Sequence, residues 1–219
     1  VNNSGVVAAD TTGVGTARWG LGAANYGNDK AIFGYGTTGS NSSLTNLVSS
    51  SGVVATDTTG VGTARGYVAG VSYGGDKALF AYGYTGSNVS MSNLISNLGV
   101  VSADVTGVGT ARGYLAAASY DTDKAIFGYG YNGSANLSMS NLVSNNGIVA
   151  SDVSGVGTAR RQLGAAGYGG DKAIFAYGKA GAFTSIKNLV NSSGVIAADV
   201  TGVGTAREAI AAAGYSISA

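Results

Sequence analysis

One sentence of residues is written along this chain again and again. The hexapeptide GVGTAR ends at Arg18, Arg65, Arg112, Arg160 and Arg207, with spacings of 47, 47, 48 and 47 residues. The tripeptide DKA opens at Asp29, Asp76, Asp123 and Asp171 with the matching spacings 47, 47 and 48. The single extra residue falls in the stretch SANLS, Ser134 to Ser138. A fixed period of this size requires a propeller, a solenoid or an array, because each copy is one unit that buries its apolar face only against a neighbour.

Within one period the pattern predicts four short strands: YLAAASY (Tyr114 to Tyr120), DKAIFGYGY from Asp123, SMSNLVS (Ser138 to Ser144) and GIVASDV (Gly147 to Val153). Each is bounded by Gly, Asn, Asp or Ser. Asn146-Gly147 between the third and fourth is a hairpin signal, since both residues tolerate positive φ. Helix is disfavoured: the chain holds 38 Gly, which recur inside every candidate window at a cost of about 1 kcal/mol each against Ala. Four antiparallel strands per period predict an all-β chain, a propeller in which LAAAS lies innermost, where only small residues fit, and AIF and NLV bury larger side chains between blades. A β-solenoid with large rungs is the competing architecture.

The stretch ARGYLAAASYDTDKAIFGYGYNGS resembles a kelch-type repeat: an Arg opens the first strand, an apolar second strand ends in glycines, and a Gly-Ser turn follows. It departs from that pattern in two ways. Tyr129 separates Gly128 from Gly130, and the fourth-strand Trp is missing. The resemblance covers every repeat and implies a β-propeller. The near-identical copies, rich in Gly, Ser, Asn and Thr, are also similar in style to repeats of phage tail and virion-surface proteins. The expectation is therefore a single domain over residues 1–219 with five blades from 47-residue kelch-like repeats. The fifth is incomplete: its first strand (Ala209 to Tyr215) comes from the C-terminus and its fourth (Gly5 to Asp10) from the N-terminus. Its middle hairpin is absent, which leaves a strand edge open to self-association.

Composition removes several functions. With no Cys and no His there is neither a disulfide, nor the usual zinc, copper or haem ligand set, nor a Ser-His-Asp or Cys-His nucleophile. The copper site that the kelch resemblance implies for its oxidases thus lacks its His. A net charge of +1 without a basic block argues against nucleic acid, and the lack of an 18-residue apolar run argues against a transmembrane helix. Glycosidase chemistry needs two opposed carboxylates. The nearest pair, Asp121 and Asp123, includes a repeat residue, and Glu208 is the sole Glu. No enzyme, cofactor or metal is expected.

Of 23 charged residues, 18 sit at repeated positions, which points to structural roles: Arg to loop carbonyls, Asp10, Asp57, Asp104, Asp152 and Asp199 to turn N–H groups. Periodic Tyr are read as core, with hydroxyls partnered by the repeated Asp. Function is then expected where copies disagree. One cluster follows the Arg: Trp19, Tyr67, Tyr114, Arg161 with Gln162, and Glu208. The other is the loop between strands two and three, with Tyr84, Tyr131, Asn132, Asn136, Lys179 and Phe183. An up-down-up-down blade puts both on one face. Aromatic rings among amides and hydroxyls suit sugar faces and edges. The expectation is a non-enzymatic binding or adhesion module on a virion or cell surface. It would recognise surface glycan or a host or virion protein through Trp19, Tyr67, Tyr84, Tyr114, Tyr131, Asn132, Asn136, Arg161, Lys179 and Phe183. The alternative is a purely structural tail or fibre component that assembles with itself.

Overall fold

The computed structural model describes residues 6–214. The alternation of apolar and small residues within each period yields three strands per repeat, twelve in all among the described residues. They are β1 (Gly22–Tyr26), β2 (Lys30–Gly34), β3 (Thr45–Val48), β4 (Ala69–Tyr73), β5 (Lys77–Ala81), β6 (Ser92–Ile95), β7 (Ala116–Tyr120), β8 (Lys124–Gly128), β9 (Ser140–Val143), β10 (Gly164–Tyr168), β11 (Lys172–Ala176) and β12 (Lys187–Val190). Each consecutive triplet is one antiparallel meander, giving four separate three-stranded sheets. Register repeats from copy to copy: Tyr120 faces Lys124 across the first pair and Ala125 faces Val143 across the second, as Tyr26 faces Lys30 and Ala31 faces Val48.

The expected fourth strand is not a strand. GIVASDV touches β9 only through two bridges, Val143 to Val149 and Ser140 to Val153. Three steps along β9 thus oppose four along the incoming segment, the signature of a bulge. The cause is a side chain. Asn141 Nδ2 donates to the carbonyl of Ala150 at 2.9 Å and to Asp152 Oδ1 at 3.0 Å, so the amide group occupies the place where ladder bonds would run. Asn46, Asn93 and Asn188 do the same in the other repeats. The turn before this segment also differs from the expected Asn-Gly turn. Gly147 N–H bonds the Ser144 carbonyl at 2.9 Å and Gly147 alone takes φ +79°, while Asn146 is not left-handed. That is a tight turn followed by a left-handed glycine.

Residues 6–10 and 209–214, the described parts of the strands expected for a fifth repeat, carry no strand; Gly5 and Tyr215 lie outside the described residues.

Sheets pack face to face, and the core is three separate slabs between neighbours. Ile32 and Tyr35 meet Val68, Ala78 and Phe80 in the first. Leu79 and Tyr82 meet Leu115, Ala125 and Phe127 in the second, and Ile126 and Tyr129 meet Leu163, Ala173 and Phe175 in the third. One rule generates all three: the Ile/Leu face and the Tyr of one repeat take the Phe face of the next. The first strands of adjacent sheets approach most closely, β1 to β4, β4 to β7 and β7 to β10. Their Ala and Gly residues allow it. Gly70 would place a Cβ 2.5 Å from the carbonyl oxygen of Ala23. Backbone and hydroxyl bonds run along this line, including Gly27 N–H to the Asp76 carbonyl (2.7 Å), Gly74 N–H to the Asp123 carbonyl (2.6 Å) and Ser119 Oγ to the Ser72 carbonyl (2.9 Å).

Candidate functional site

The GVGTAR arginine is the hub of each junction. Arg112 is fully buried and donates from Nε to the Tyr129 carbonyl (2.8 Å), from one terminal nitrogen to the Thr110 carbonyl (3.1 Å) and from the other to Asn141 Oδ1 (2.7 Å). Its guanidinium lies 4.3 Å over the ring of Tyr82, from the preceding repeat. Asn141 in turn holds Asp152, whose other oxygen accepts the Thr110 N–H (3.0 Å) and hydroxyl (2.7 Å). The same clasp recurs around Arg65 with Asn93, Asp104 and Thr63, and around Arg18 with Asn46, Asp57 and Thr16. At Asp57 the Thr16 hydroxyl bond and the Asn46 bond hold the carboxyl down at about 2. For Asp152 partial burial works the other way, and the bonds from Thr110 and Asn141 outweigh it to leave the carboxyl low. The clasp Arg and Asp thus hold carbonyl, amide and turn N–H groups, whereas the DKA lysines pair with neighbouring Asp side chains at the surface.

The repeated tyrosines depart from expectation in one respect. Their hydroxyls do not reach Asp. Tyr35, Tyr82, Tyr129 and Tyr177 donate to the carbonyls of Val61, Val108, Val156 and Val203, each in the next GVGTAR word. All four sit at φ near +61 to +64° between a Gly or Ala and a Gly, a left-handed conformation that costs a bulky residue about 1–2 kcal/mol. Ring packing holds them there: each of the first three meets the next repeat's Phe edge-on at 5.3 to 5.4 Å. Burial pushes the Tyr82 phenol up to about 12.

The two variable segments meet. Trp19 and Thr37 exchange backbone hydrogen bonds (3.0 and 2.8 Å), as do Gly66 with Tyr84, Gly113 with Tyr131 and Arg161 with Lys179. In every repeat the residue after the Arg is thus paired with the start of the loop between strands two and three. Along the stack the rings then join up. Trp19 meets Tyr67 edge-on at 5.3 Å, and Tyr67 meets Tyr114 at 4.0 Å. Arg161 lies 4.6 Å over Tyr131, and Lys179 lies 5.6 Å from the ring of Phe183. Trp19 is 57%, Phe183 54% and Tyr84 40% exposed. Tyr67, Tyr114 and Gln162 are left-handed at φ +54 to +57°, and their row is tied by Tyr67 N–H to the Gly20 carbonyl (2.6 Å) and Gln162 N–H to the Tyr114 carbonyl (2.9 Å). Burial raises the Tyr114 phenol, reinforced by Tyr67.

Two of the expected polar contacts are already in use. Asn132 Oδ1 accepts the N–H groups of Ser134 and Ala135, and Asn136 Nδ2 donates to the Lys179 carbonyl of the next repeat at 3.1 Å. One carboxyl oxygen of Glu208 is buried without a hydrogen-bond partner among the described residues. Sequence reasoning missed a different feature: a cavity of about 570 Å³ on the open face of the first sheet, lined by Arg18, Phe33, Val14, Asn46 and Val54 among others. Phe33 in its wall is 37% exposed, where Phe80, Phe127 and Phe175 are fully buried.

Among the described residues no group of three or more His, Cys, Asp or Glu comes together as a metal site, and no helix is long and apolar enough to cross a membrane. The fold and this edge define an all-β repeat protein with recurring junctions and a row of half-buried to exposed rings that differs from copy to copy. No family model matches the chain, and no curated protein matches it closely enough to serve as a relative.

Proposed function

We propose that this chain is a non-enzymatic binding module, displayed on a virion (a phage tail) or a cell surface, that recognises glycan or protein through its variable aromatic edge. The observation that carries the reading is the continuous row Trp19, Tyr67 and Tyr114, flanked by exposed Tyr84 and Phe183 and by the cations Arg161 and Lys179. Rings held on a rigid scaffold lose little entropy on binding and present apolar faces to sugar C–H groups. Left-handed residues within the row fit a surface whose shape is set in advance.

The same reading takes the sheets as blades of a kelch-like β-propeller, of which the five-fold count is part. Close approach at the small first strands, with larger residues further out along each sheet, gives wedge-shaped repeats, and wedges arranged about an axis make a ring. A purely structural role, in which copies associate, is supported by the half-exposed Phe33 on the open face of the first sheet.

Trp19 is the only Trp in the chain, so its fluorescence reports on this edge directly. Titration with ligands selected on a glycan array is expected to shift its emission, and Trp19→Ala is expected to weaken binding at least tenfold. Ligands that bind without moving the emission, and equally well to Trp19→Ala, would overturn the assignment of the edge.

A further inference from the structure

Two Asn-Gly pairs stand in the third repeat, Asn132-Gly133 and Asn146-Gly147, and no other copy carries one. Thr38-Gly39, Thr85-Gly86 and Ala180-Gly181 fill the first position elsewhere, and Ser51-Gly52, Leu98-Gly99 and Ser193-Gly194 fill the second. An Asn before a Gly holds a latent intramolecular reaction. The next backbone nitrogen can close a five-membered ring on the side-chain carbonyl, and Gly brings no side chain to obstruct the closure. The reaction needs that nitrogen free and is helped by a polarised carbonyl. The fold treats the two pairs oppositely.

At Asn146 the nitrogen is engaged. Gly147 N–H donates to the Ser144 carbonyl at 2.9 Å. Gly147 is buried, and a Cβ there would lie 2.7 Å from the ring of Tyr73 in the preceding repeat, so the turn is held tightly in place. At Asn132 the nitrogen is free. Asn132 and Gly133 are both exposed, and among the described residues nothing accepts the Gly133 N–H. A Cβ on Gly133 would meet only the end of the Asn88 side chain, at 3.5 Å. The carbonyl is also polarised. Asn132 Oδ1 accepts the N–H of Ser134 at 2.9 Å and that of Ala135 at 2.8 Å. Two backbone donors aimed at this oxygen stabilise the negative charge it gains when its carbon is attacked, as an oxyanion hole does. The lengthened loop of this repeat supplies them: Thr38 and Thr85 donate their N–H to carbonyls two residues on, whereas Asn132 N–H reaches Ala135, three residues on, at 3.2 Å.

We propose that Asn132 is a self-modification site. The Gly133 nitrogen attacks Asn132 Cγ, the new N–Cγ bond forms, and the Cγ–Nδ2 bond breaks. Nδ2 leaves as ammonia, which takes up the proton that the Gly133 nitrogen gives up. Water then opens the succinimide ring at either of its carbonyls and leaves aspartate or isoaspartate at position 132. Either product replaces a neutral amide with a carboxylate next to Tyr131, over whose ring Arg161 lies at 4.6 Å, and takes the formal net charge of the chain from +1 to zero. The reaction consumes water alone and needs no ligand, so the inference goes beyond the proposed function and does not depend on it.

The test is to incubate the full chain at mildly alkaline pH in heavy-oxygen water and to sequence its peptides by mass spectrometry. In the folded chain, heavy oxygen is expected to enter residue 132 at least tenfold faster than residue 146. In urea, with both pairs unfolded, the two rates are expected to converge. Isoelectric focusing is expected to show an acidic band that grows with time. The band should be missing from Asn132→Thr, which installs the residue of the first two repeats, and should persist in Asn146→Ser, which installs that of the first and fourth. Equal rates in the folded chain, a faster residue 146, or an Asn132 that stays intact in the folded chain while the unfolded chain converts would overturn the proposal. So would an acidic band that Asn146→Ser removes and Asn132→Thr does not.

Discussion

Arg18 and Trp19 are neighbours in the chain and have opposite fates. The Arg18 side chain turns into the junction between repeats and is held by Tyr35, Asn46 and Asp57, while Trp19 stands 57% exposed at the head of the aromatic row. Arg160 is likewise fully buried while Arg161 after it lies over Tyr131, whereas Gly66 and Gly113, which follow the buried Arg65 and Arg112, are buried themselves. The clasp recurs around Arg18, Arg65 and Arg112, while Arg160 turns one terminal nitrogen to the Phe175 carbonyl and leaves Asn188 Oδ1 without a donor. The row changes from copy to copy while the backbone bonds from Tyr67 to Gly20 and from Gln162 to Tyr114 tie it between repeats.

The sharpest way to break this division is to attack the junction. Phe127→Ala removes a fully buried ring from the slab shared by the second and third sheets, and is expected to cost about 3–5 kcal/mol in chemical denaturation. Phe33→Ala, the same change in the uncovered copy, is expected to cost about 1 kcal/mol or less, since the ring is already partly in water. Equal losses at the two positions would mean that the first sheet is covered in solution.

Arg112→Met keeps the apolar stem and removes the guanidinium, leaving the Tyr129 carbonyl and Asn141 Oδ1 without their donor. A loss of about 3 kcal/mol is expected, read from the shift in the urea midpoint. A smaller loss, about 1–2 kcal/mol, is expected for Gly109→Ala. Gly109 sits at φ +74°, and a Cβ there would lie 2.4 Å from Asp152 Oδ1, inside the clasp.

Acid should open the clasps before it affects the row. Asp57 is held at about 2 by Thr16 and Asn46, against an ordinary 3.8, and Asp104, Asp152 and Asp199 are also lowered. A depressed carboxyl contributes stability that is complete above its unfolded value and is lost as pH falls through its folded one. Thermal stability is therefore expected to be flat above about pH 4 on account of these groups and to decline between there and about pH 2. Asp152→Asn should flatten part of that decline. An unchanged acid limb in this variant would show that the clasp carboxylates do not set it.

Much of this architecture was legible before any coordinates. The period, the three paired strands and the structural use of the repeated charges follow from spacing and alternation alone. The fourth strand was misread because hydrophobic alternation in GIVASDV is real, whereas its interruption depends on where the Asn141 amide bonds, and no apolar pattern records that. Chemistry alone pairs the tyrosine hydroxyls with Asp; the left-handed Tyr in the Gly/Ala-Tyr-Gly word aims each at a valine carbonyl instead. Pairing of the two variable segments was inferable from strand count, but the contact of Tyr67 with Tyr114 across repeats was not, since it depends on how closely the small first strands allow the sheets to approach.

The central claim, that the junction carries the fold while the variable row is dispensable to it, is tested most directly by one denaturation comparison. The triple variant Trp19→Ser/Tyr84→Ser/Phe183→Ser removes three large exposed side chains; Arg112→Met removes a single buried charge. The triple variant is expected to unfold within about 1 kcal/mol of the parent and the single variant several times further away. A triple variant less stable than Arg112→Met would contradict the account, because the row would then be part of what holds the repeats together.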